Sequence, residues 1–237
     1  MKDCLISIIT INYNNVEGLK KTIESVKNLN FRNFEYLVID GASSDDSLKI
    51  IEENKNFIDV AVSEKDTGLY NAINKGIKLA TGKIIALIHS GDTILPAALD
   101  NLPSLYEKNP NSVLYGALKA VKNGKFDSVW GFNADYLPKQ MIPHLATFVP
   151  KSIYNQFGLY DENYKIASDY ECFLRFYTAG VNFVFYDAIV CEFNLEGVSQ
   201  NKEKETAKEV EKIKKAYGVY EKLSKKQKIK RFIKRFF

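Results

Sequence analysis

The chain has 237 residues, 46% hydrophobic and 26% charged, with a formal net charge of +4. That length suits one large domain, or one domain with an appendage, and the composition excludes disorder as the main state. Three scattered cysteines, Cys4, Cys172 and Cys191, form no metal-ligand spacing and exclude a disulfide scaffold, so they are read as reduced thiols of a cytoplasmic protein.

No run approaches the roughly 20 apolar residues of a membrane-spanning helix. The opening run Leu5-Ile6-Ser7-Ile8-Ile9-Thr10-Ile11 is short and β-branched and meets polar Asn12, which predicts a strand and not a signal peptide. Residues 4–12 read as a strand buried on both faces, and residues 16–29 as a helix with Leu19, Ile23, Val26 and Leu29 on one face. A strand at 34–39, a helix at 45–54 and a short strand at 59–62 follow. A helix at 69–80 is read as ending on Gly82 as its cap, before a fourth strand at 83–89. Beyond residue 110, segments 113–121 and 125–130 predict a hairpin around Asn123-Gly124. An amphipathic helix at 168–179, a strand at 181–190 and a charged helical stretch from residue 202 complete the pattern. Strands alternating with helices predict an α/β fold, a Rossmann-like, mainly parallel sheet flanked by helices. The expected division is a domain at 1–200 and a basic helical extension at 201–237.

In such sheets ligands bind beyond the carboxyl ends of the strands. The first strand ends in Thr10-Ile11-Asn12-Tyr13-Asn14-Asn15. Its asparagines can bond a base or sugar edge and Tyr13 offers a stacking face; the same residues also suit a turn and a helix N-cap. The second ends in Asp40-Gly41-Ala42-Ser43-Ser44-Asp45, where a carboxylate and a glycine suit close approach of a ligand, and Ser44 or Asp45 equally suits a helix cap. Neither GxGxxG nor GxxxxGK[ST] is present, which disfavours a nicotinamide or flavin enzyme and a phosphate loop of that kind. After the third strand, Asp66 and Gly68 at a helix start offer a carboxylate and backbone donors. The fourth ends in His89-Ser90-Gly91-Asp92, a single carboxylate that fits a divalent cation shared with phosphate oxygens, or a plain β-turn. Four polar clusters, each following a strand, point together to a nucleotide-phosphate ligand.

With Glu64-Lys65-Asp66-Thr67-Gly68-Leu69-Tyr70-Asn71-Ala72-Ile73-Asn74-Lys75-Gly76, these segments resemble a family-two glycosyltransferase of the GT-A fold, in a form similar to enzymes of bacterial surface-polysaccharide synthesis. Phe157-Gly158-Leu159-Tyr160-Asp161-Glu162, Ala167-Ser168-Asp169-Tyr170-Glu171 and Leu174-Arg175 resemble the acceptor-side motifs, so the likeness runs over residues 4–178. The resemblance implies inverting transfer of a sugar from a nucleotide-sugar donor, by family frequency a UDP-sugar, to a hydroxyl of a glycan or lipid-linked acceptor. It implies that Thr10, Asn12, Asp40, Lys65, Asp66 and Ser90 bind the donor nucleotide, that Asp92 holds Mn²⁺ or Mg²⁺, and that Asp169 is the general base. His144, Glu171 and Arg175 become acceptor or diphosphate contacts. Ser90 stands where the metal motif has its first acid, so the cation would lean on Asp92 and the diphosphate; Ser168 likewise replaces an acid before Asp169. Trp130 is a sugar platform or, more simply, a hairpin residue. The competing reading is a non-catalytic nucleotide-sugar-binding or assembly protein on the same fold.

Residues 201–237 hold 14 Lys/Arg and 5 Asp/Glu, whereas residues 1–200 hold 19 and 24. The final KLSKKQKIKRFIKRFF places Ile229, Phe232, Ile233 and Phe236 at i, i+3, i+4 and i+7 among eight basic residues. That pattern predicts an interfacial helix that holds the enzyme peripherally at the inner leaflet of the plasma membrane. Nucleic acid is not among the expected partners.

Overall fold

The computed structural model describes residues 4–195 and 203–219. Strand β1 (Ile6–Asn12) lies parallel between β2 (Phe34–Asp40) and β4 (Ile84–Leu87), and β3 (Val60–Ser63) pairs parallel with β2. Every residue of β1, β2 and β4 is buried, as continuous apolar runs covered on both faces must be. Helices α1 (Val16–Lys27), α2 (Ser47–Glu53) and α3 (Leu69–Leu79) make the crossovers that parallel pairing requires. Asn15 caps α1 by accepting the Gly18 N–H at 3.2 Å, and Leu19, Ile23 and Val26 face the sheet. Before α2, Asp45 accepts from the Val16 and Ser47 N–H groups, so it ties two helix starts together.

The second half departs from the parallel plan. It comprises β5 (Thr93–Ile94), α4 (Leu102–Lys108), β6 (Val113–Lys122), β7 (Lys125–Trp130), β8 (Thr147–Pro150), α5 (Lys151–Phe157), α6 (Ser168–Thr178), β9 (Phe183–Asn194) and α7 (Glu203–Ala216). The nine strands form one sheet in the order β3-β2-β1-β4-β8-β6-β9-β5, with β7 on β6. Strand β8 runs antiparallel to both β4 and β6, so the expected parallel sheet is the N-terminal half and the rest is mixed. Strands β5 and β8 are two and four residues long, too short for a periodic signal in the chain. The β6–β7 hairpin forms where expected: Asn123 (φ 50°) and Gly124 (φ 69°) supply the left-handed pair of a tight turn. Trp130 belongs to that hairpin, its indole N–H donating to Ser128 Oγ at 2.9 Å and its ring packed on Phe193.

Gly82 is not a helix cap. Helix α3 ends at Ala80 in an extended conformation, and Gly82 instead lies against β1, where a Cβ would come within 2.6 Å of the Ser7 backbone nitrogen. Buried Glu35 fastens this approach by accepting from Ser7 Oγ, the Thr81 N–H and hydroxyl, and the Gly82 N–H. The three cysteines are free and buried. Helix α7 packs Ile213 with Tyr164, Ala167, Tyr170 and Leu174 in a small cluster beside the main core. The basic segment 222–237 lies outside the described residues. Among the described residues no helix is long and apolar enough to cross a membrane.

Candidate active site

The parallel strands β1, β2, β3 and β4 end at one edge, and the loops there meet around Asp40. This last residue of β2 is fully buried, and its carboxylate accepts from Asn12 Nδ2 (2.8 Å), Ser43 N (2.9 Å), Ser43 Oγ (2.5 Å) and Ser63 Oγ (2.7 Å). Burial alone would raise the Asp40 carboxyl, but these donors outweigh it and hold it below the usual carboxylate range. The cluster joins the loops after β1, β2 and β3. Ser43 Oγ also accepts the Asn14 N–H at 2.8 Å, and Asn14 Oδ1 accepts the Ser44 N–H at 2.7 Å. Ala42 is held at φ 60°, a left-handed conformation that costs about 1–2 kcal/mol for a residue with a Cβ.

Three of the residues expected at the donor nucleotide are buried in the structure. Thr10 is fully buried and its hydroxyl accepts from Tyr36 Oη at 2.9 Å, so its side chain faces the sheet interior. Asn12 and Asp40 are also buried and turned to one another, so they brace the loops at this edge from beneath. Tyr13 is the exposed residue here, with Asp66 half-buried and Gly41 buried beside it. Tyr13 is 66% exposed. A Cβ on Gly41 would come 2.7 Å from Asp66 Oδ2 and 3.1 Å from Tyr13 Cδ2, so a glycine there leaves room between a ring and a carboxylate. Asp66 is fixed by accepting the Gly68 N–H at 2.9 Å, at the start of α3. Lys65 is exposed beside it, its carbonyl accepting from Lys75 Nζ at 3.0 Å.

At the end of β4, Ser90 is tied to the first loop: its hydroxyl donates to the Asn15 carbonyl (3.2 Å) and its carbonyl accepts from Asn15 Nδ2 (3.0 Å). Asp92 is buried and accepts the Asn194 N–H at 3.0 Å; burial pushes its carboxyl up to about 7, with that N–H and Lys21 opposing. A buried carboxylate so weakly compensated fits a hard divalent cation. Among the described residues no group of three or more His, Cys, Asp or Glu gathers to hold a metal, so the rest of the shell would come from diphosphate oxygens and water.

Asp169 sits in the first turn of α6, half-buried. Its Oδ1 accepts the Tyr170 N–H at 2.8 Å and lies 3.2 Å from Tyr70 Oη, which also donates to the Ile166 carbonyl at 2.6 Å. Among the described residues no other residue donates to Oδ2. Burial pushes the Asp169 carboxyl up to about 6, against the pull of its hydrogen bonds. Tyr70 stacks on Tyr160 at 5.7 Å, and Tyr160 Oη bonds His144 Nε2 at 2.8 Å. The His144 ring lies 6.0 Å from His89, and burial holds both imidazoles neutral, His89 down to about 3 and His144 to about 4. Side chains in contact therefore run from the β4 loop to Asp169. His144 reaches this line as a partner of Tyr160, with Nε2 already engaged.

Glu171 and Arg175 pair with one another along α6. Glu171 accepts from Arg175 Nε (3.0 Å) and Nη2 (3.2 Å) and from the Tyr217 hydroxyl. Arg175 further donates to the carbonyls of Phe157, Gly158 (3.0 Å) and Leu159 (2.6 Å), so its donors hold the 157–159 loop and none is left for a diphosphate. The sequence reading missed the roles of Tyr70, Tyr160 and Glu162. Glu162 accepts from Asn71 Nδ2 and Asn74 Nδ2, both at 3.0 Å, joining the acceptor-side loop to α3. The signal was the Tyr70, Asn71 and Asn74 face of one helix, but its partners lie some ninety residues away.

Residues 7–179 match the family described as Glycosyl transferase family 2, and the chain belongs to that family. It is similar to an uncharacterized glycosyltransferase of Mycobacterium tuberculosis, 29% identical over 218 residues that cover 84% of this chain and 78% of that one. It is also similar to Escherichia coli WfgD, a UDP-Glc:alpha-D-GlcNAc-diphosphoundecaprenol beta-1,3-glucosyltransferase, at 34% identity over 131 residues, 53% of this chain and 52% of WfgD. Staphylococcus aureus TarS 1–349 in complex with UDP-GlcNAc superposes with a TM-score of 0.74 at 18% identity, over 93% of this chain and 68% of that one. The Pyrobaculum calidifontis mannosyltransferase PcManGT, in complex with GDP-Man and Mn2+, gives 0.62 at 16% identity over 81% and 57%. The fold is that of GT-A-type glycosyltransferases, and the protein is a glycosyltransferase.

Asp40→Asn is expected to cost about 2–3 kcal/mol at pH 7, because one oxygen of the buried acceptor becomes a donor facing donors. Asp66→Asn, at the surface, is expected to unfold in urea as the wild type does. The Asp40 carboxyl is depressed in the folded state, so its stabilisation is complete above the ordinary value of 3.8 and is lost as pH falls through the folded value. The gap between wild type and Asp40→Asn should therefore narrow below that pH.

Proposed function

We propose that the chain is an inverting glycosyltransferase that moves a sugar from a UDP-sugar to a hydroxyl of a glycan or lipid-linked acceptor in surface-polysaccharide synthesis. The observation that carries the inverting mechanism is Asp169, a half-buried carboxylate with its carboxyl raised to about 6 and, among the described residues, hydrogen-bonded through Oδ1. Such a group is ionised at neutral pH yet basic enough to take a proton in the transition state. The acceptor O–H gives its proton to Asp169 as the oxygen bonds the anomeric carbon. The bond from that carbon to the diphosphate breaks on the opposite face, which inverts the centre. Tyr13, Gly41 and Asp66 form the cradle for the nucleoside, with Lys65 beside it and Ser90 toward the diphosphate. Asp92 would hold Mn²⁺ or Mg²⁺, which when bound supplies positive charge to the leaving diphosphate. His89 and His144, held neutral, keep that charge from being opposed by a neighbouring imidazolium.

Similarity to WfgD, named for UDP-Glc and a diphosphoundecaprenol-linked acceptor, supports the UDP-sugar and the lipid-linked acceptor. The complexes of structural relatives with UDP-GlcNAc and with GDP-Man and Mn2+ support donor and cation sites in this fold. Residues 1–200 form the catalytic domain in this reading, and 201–237 an extension that brings it to the inner leaflet, where lipid-linked acceptors are presented.

UDP-glucose and UDP-N-acetylglucosamine, offered with a GlcNAc-diphospho-lipid, provide the assay. Asp169→Asn is expected to lower kcat by about 10²–10⁴-fold with donor KM retained. In the wild type, kcat/KM should fall as pH drops below about 6, where Asp169 takes up a proton. Donor binding without turnover, unchanged in Asp169→Asn, would turn the reading to a non-catalytic binding protein.

Thermal unfolding with a panel of nucleoside diphosphates identifies the donor base. Ligand at about tenfold over its Kd should add roughly 1.4 kcal/mol. The shift is expected for UDP, with Mn²⁺ required, and lost in Asp92→Ala.

Pelleting with anionic liposomes is expected at low salt, to weaken as salt rises, and to vanish when residues 222–237 are deleted. Equal pelleting after the deletion would dismiss the membrane role.

A further inference from the structure

We propose that Glu209, on α7 and outside the segment shared with the family, is a positioning residue for Asp169. The inference rests on the reading of Asp169 as the base. The family match ends at residue 179, and α7 spans Glu203–Ala216. Helix α6 begins after Ala167, which has no side chain able to cap it. Glu209 reaches across instead: Oε1 accepts the Lys165 N–H, and Oε2 accepts the Ile166 and Ala167 N–H groups, each at 2.9 Å. Three successive backbone donors converging on one carboxylate make an anion-binding nest, closed here by the protein's own side chain. Burial would raise Glu209, but the three N–H groups outweigh it and, with Lys212, hold it below the usual range, so it stays charged at neutral pH.

The same segment is gripped from the other side. Tyr70 donates to the Ile166 carbonyl at 2.6 Å and faces Asp169 Oδ1 at 3.2 Å. Residues 165–167 are thus held between α3 and α7, and Asp169 follows two residues on. Ile213, one turn beyond Glu209, is buried against Tyr164, Ala167, Tyr170 and Leu174 and fixes the approach of α7. The aligned dipole of α6 adds to the preference for a negative group at this end.

Glu209 also acts on Asp169 through its charge. The groups that face Asp169 are Tyr70 from α3, Tyr160 from the acceptor-side loop, Cys172 from α6 itself and Glu209 from α7. Burial keeps the two tyrosines and the thiol neutral, so of these Glu209 alone is ionised at neutral pH. Its negative charge opposes ionisation of Asp169 and so contributes to a base that titrates near neutrality.

The test is Glu209→Gln in the full chain, read in two ways. Carbon-13 NMR of labelled aspartate carboxyls, with the Asp169 signal assigned by its loss in Asp169→Asn, gives the titration midpoint directly. UDP release from UDP-glucose or UDP-N-acetylglucosamine with a GlcNAc-diphospho-lipid gives kcat and donor KM. The expected result is a midpoint moved to lower pH and a kcat lowered about tenfold or more, with donor KM within about twofold. Tyr217→Phe loosens α7 from Glu171 without changing a charge, and is expected to leave the midpoint where it is. A wild-type midpoint in Glu209→Gln, or an equal movement in Tyr217→Phe, overturns the proposal. Should Glu209→Gln not fold, Glu209→Asp keeps the charge but shortens the reach; a lowered kcat at an unmoved midpoint is expected, and a wild-type kcat overturns it. Wild-type turnover in Asp169→Asn would remove the base reading itself. An inactive Asp169→Asn beside a fully active Glu209→Gln would remove only the positioning role.

Discussion

A carboxylate placed where water does not reach obliges its neighbours to supply donors. At the end of β2 that carboxylate is Asp40, and the donors come from Asn12 at the end of β1, Ser43 in its own loop and Ser63 at the end of β3. Hydrogen bonds to a charged group are each worth about 1.5–3 kcal/mol. Several together outweigh the roughly 1–2 kcal/mol that the left-handed Ala42 costs, so the loop holds a conformation it would not adopt alone. From that conformation follow the space at Gly41 and the facing of Tyr13 and Asp66 across it.

Three aspartates show how one residue type is sorted by its surroundings. Asp40 is surrounded by donors that hold its carboxyl below the usual range. Asp92 and Asp169 are buried with few donors, and both are pushed up, to about 7 and about 6. The first is held as an anion by its donors, while the other two, short of donors, have their ionisation shifted toward neutrality.

Helix α3 connects the two halves of the molecule. Its start holds Asp66 through Gly68 on the side of the parallel strands. Its buried face sends Tyr70 to Asp169 and Asn71 and Asn74 to Glu162 on the acceptor side. The antiparallel β8 between β4 and β6 brings His144 beside His89, completing the contact between halves. Parallel strands thus deliver their polar loops to one edge, and the mixed half brings Asp169 against Tyr70 of α3.

The strands, the crossover helices, the Asn123-Gly124 turn and the four polar clusters were legible in the chain, because each depends on period or on neighbours a few residues apart. So was Asp169 as an acid at the start of a helix. The short strands β5 and β8 and the mixed half of the sheet were not, since pairing direction is a relation between distant segments. Only the folded molecule decided which polar side chains turn inward: Thr10 turns to Tyr36, Asn12 to Asp40, and Arg175 to the carbonyls of the 157–159 loop. Glu209 lies 42 to 44 residues beyond the N–H groups it binds, and nothing local marks it. Local sequence determined the elements and their chemistry. Burial and partner choice were decided by tertiary contacts, because the surroundings that set a side chain's charge and hydrogen bonds come from elsewhere in the chain.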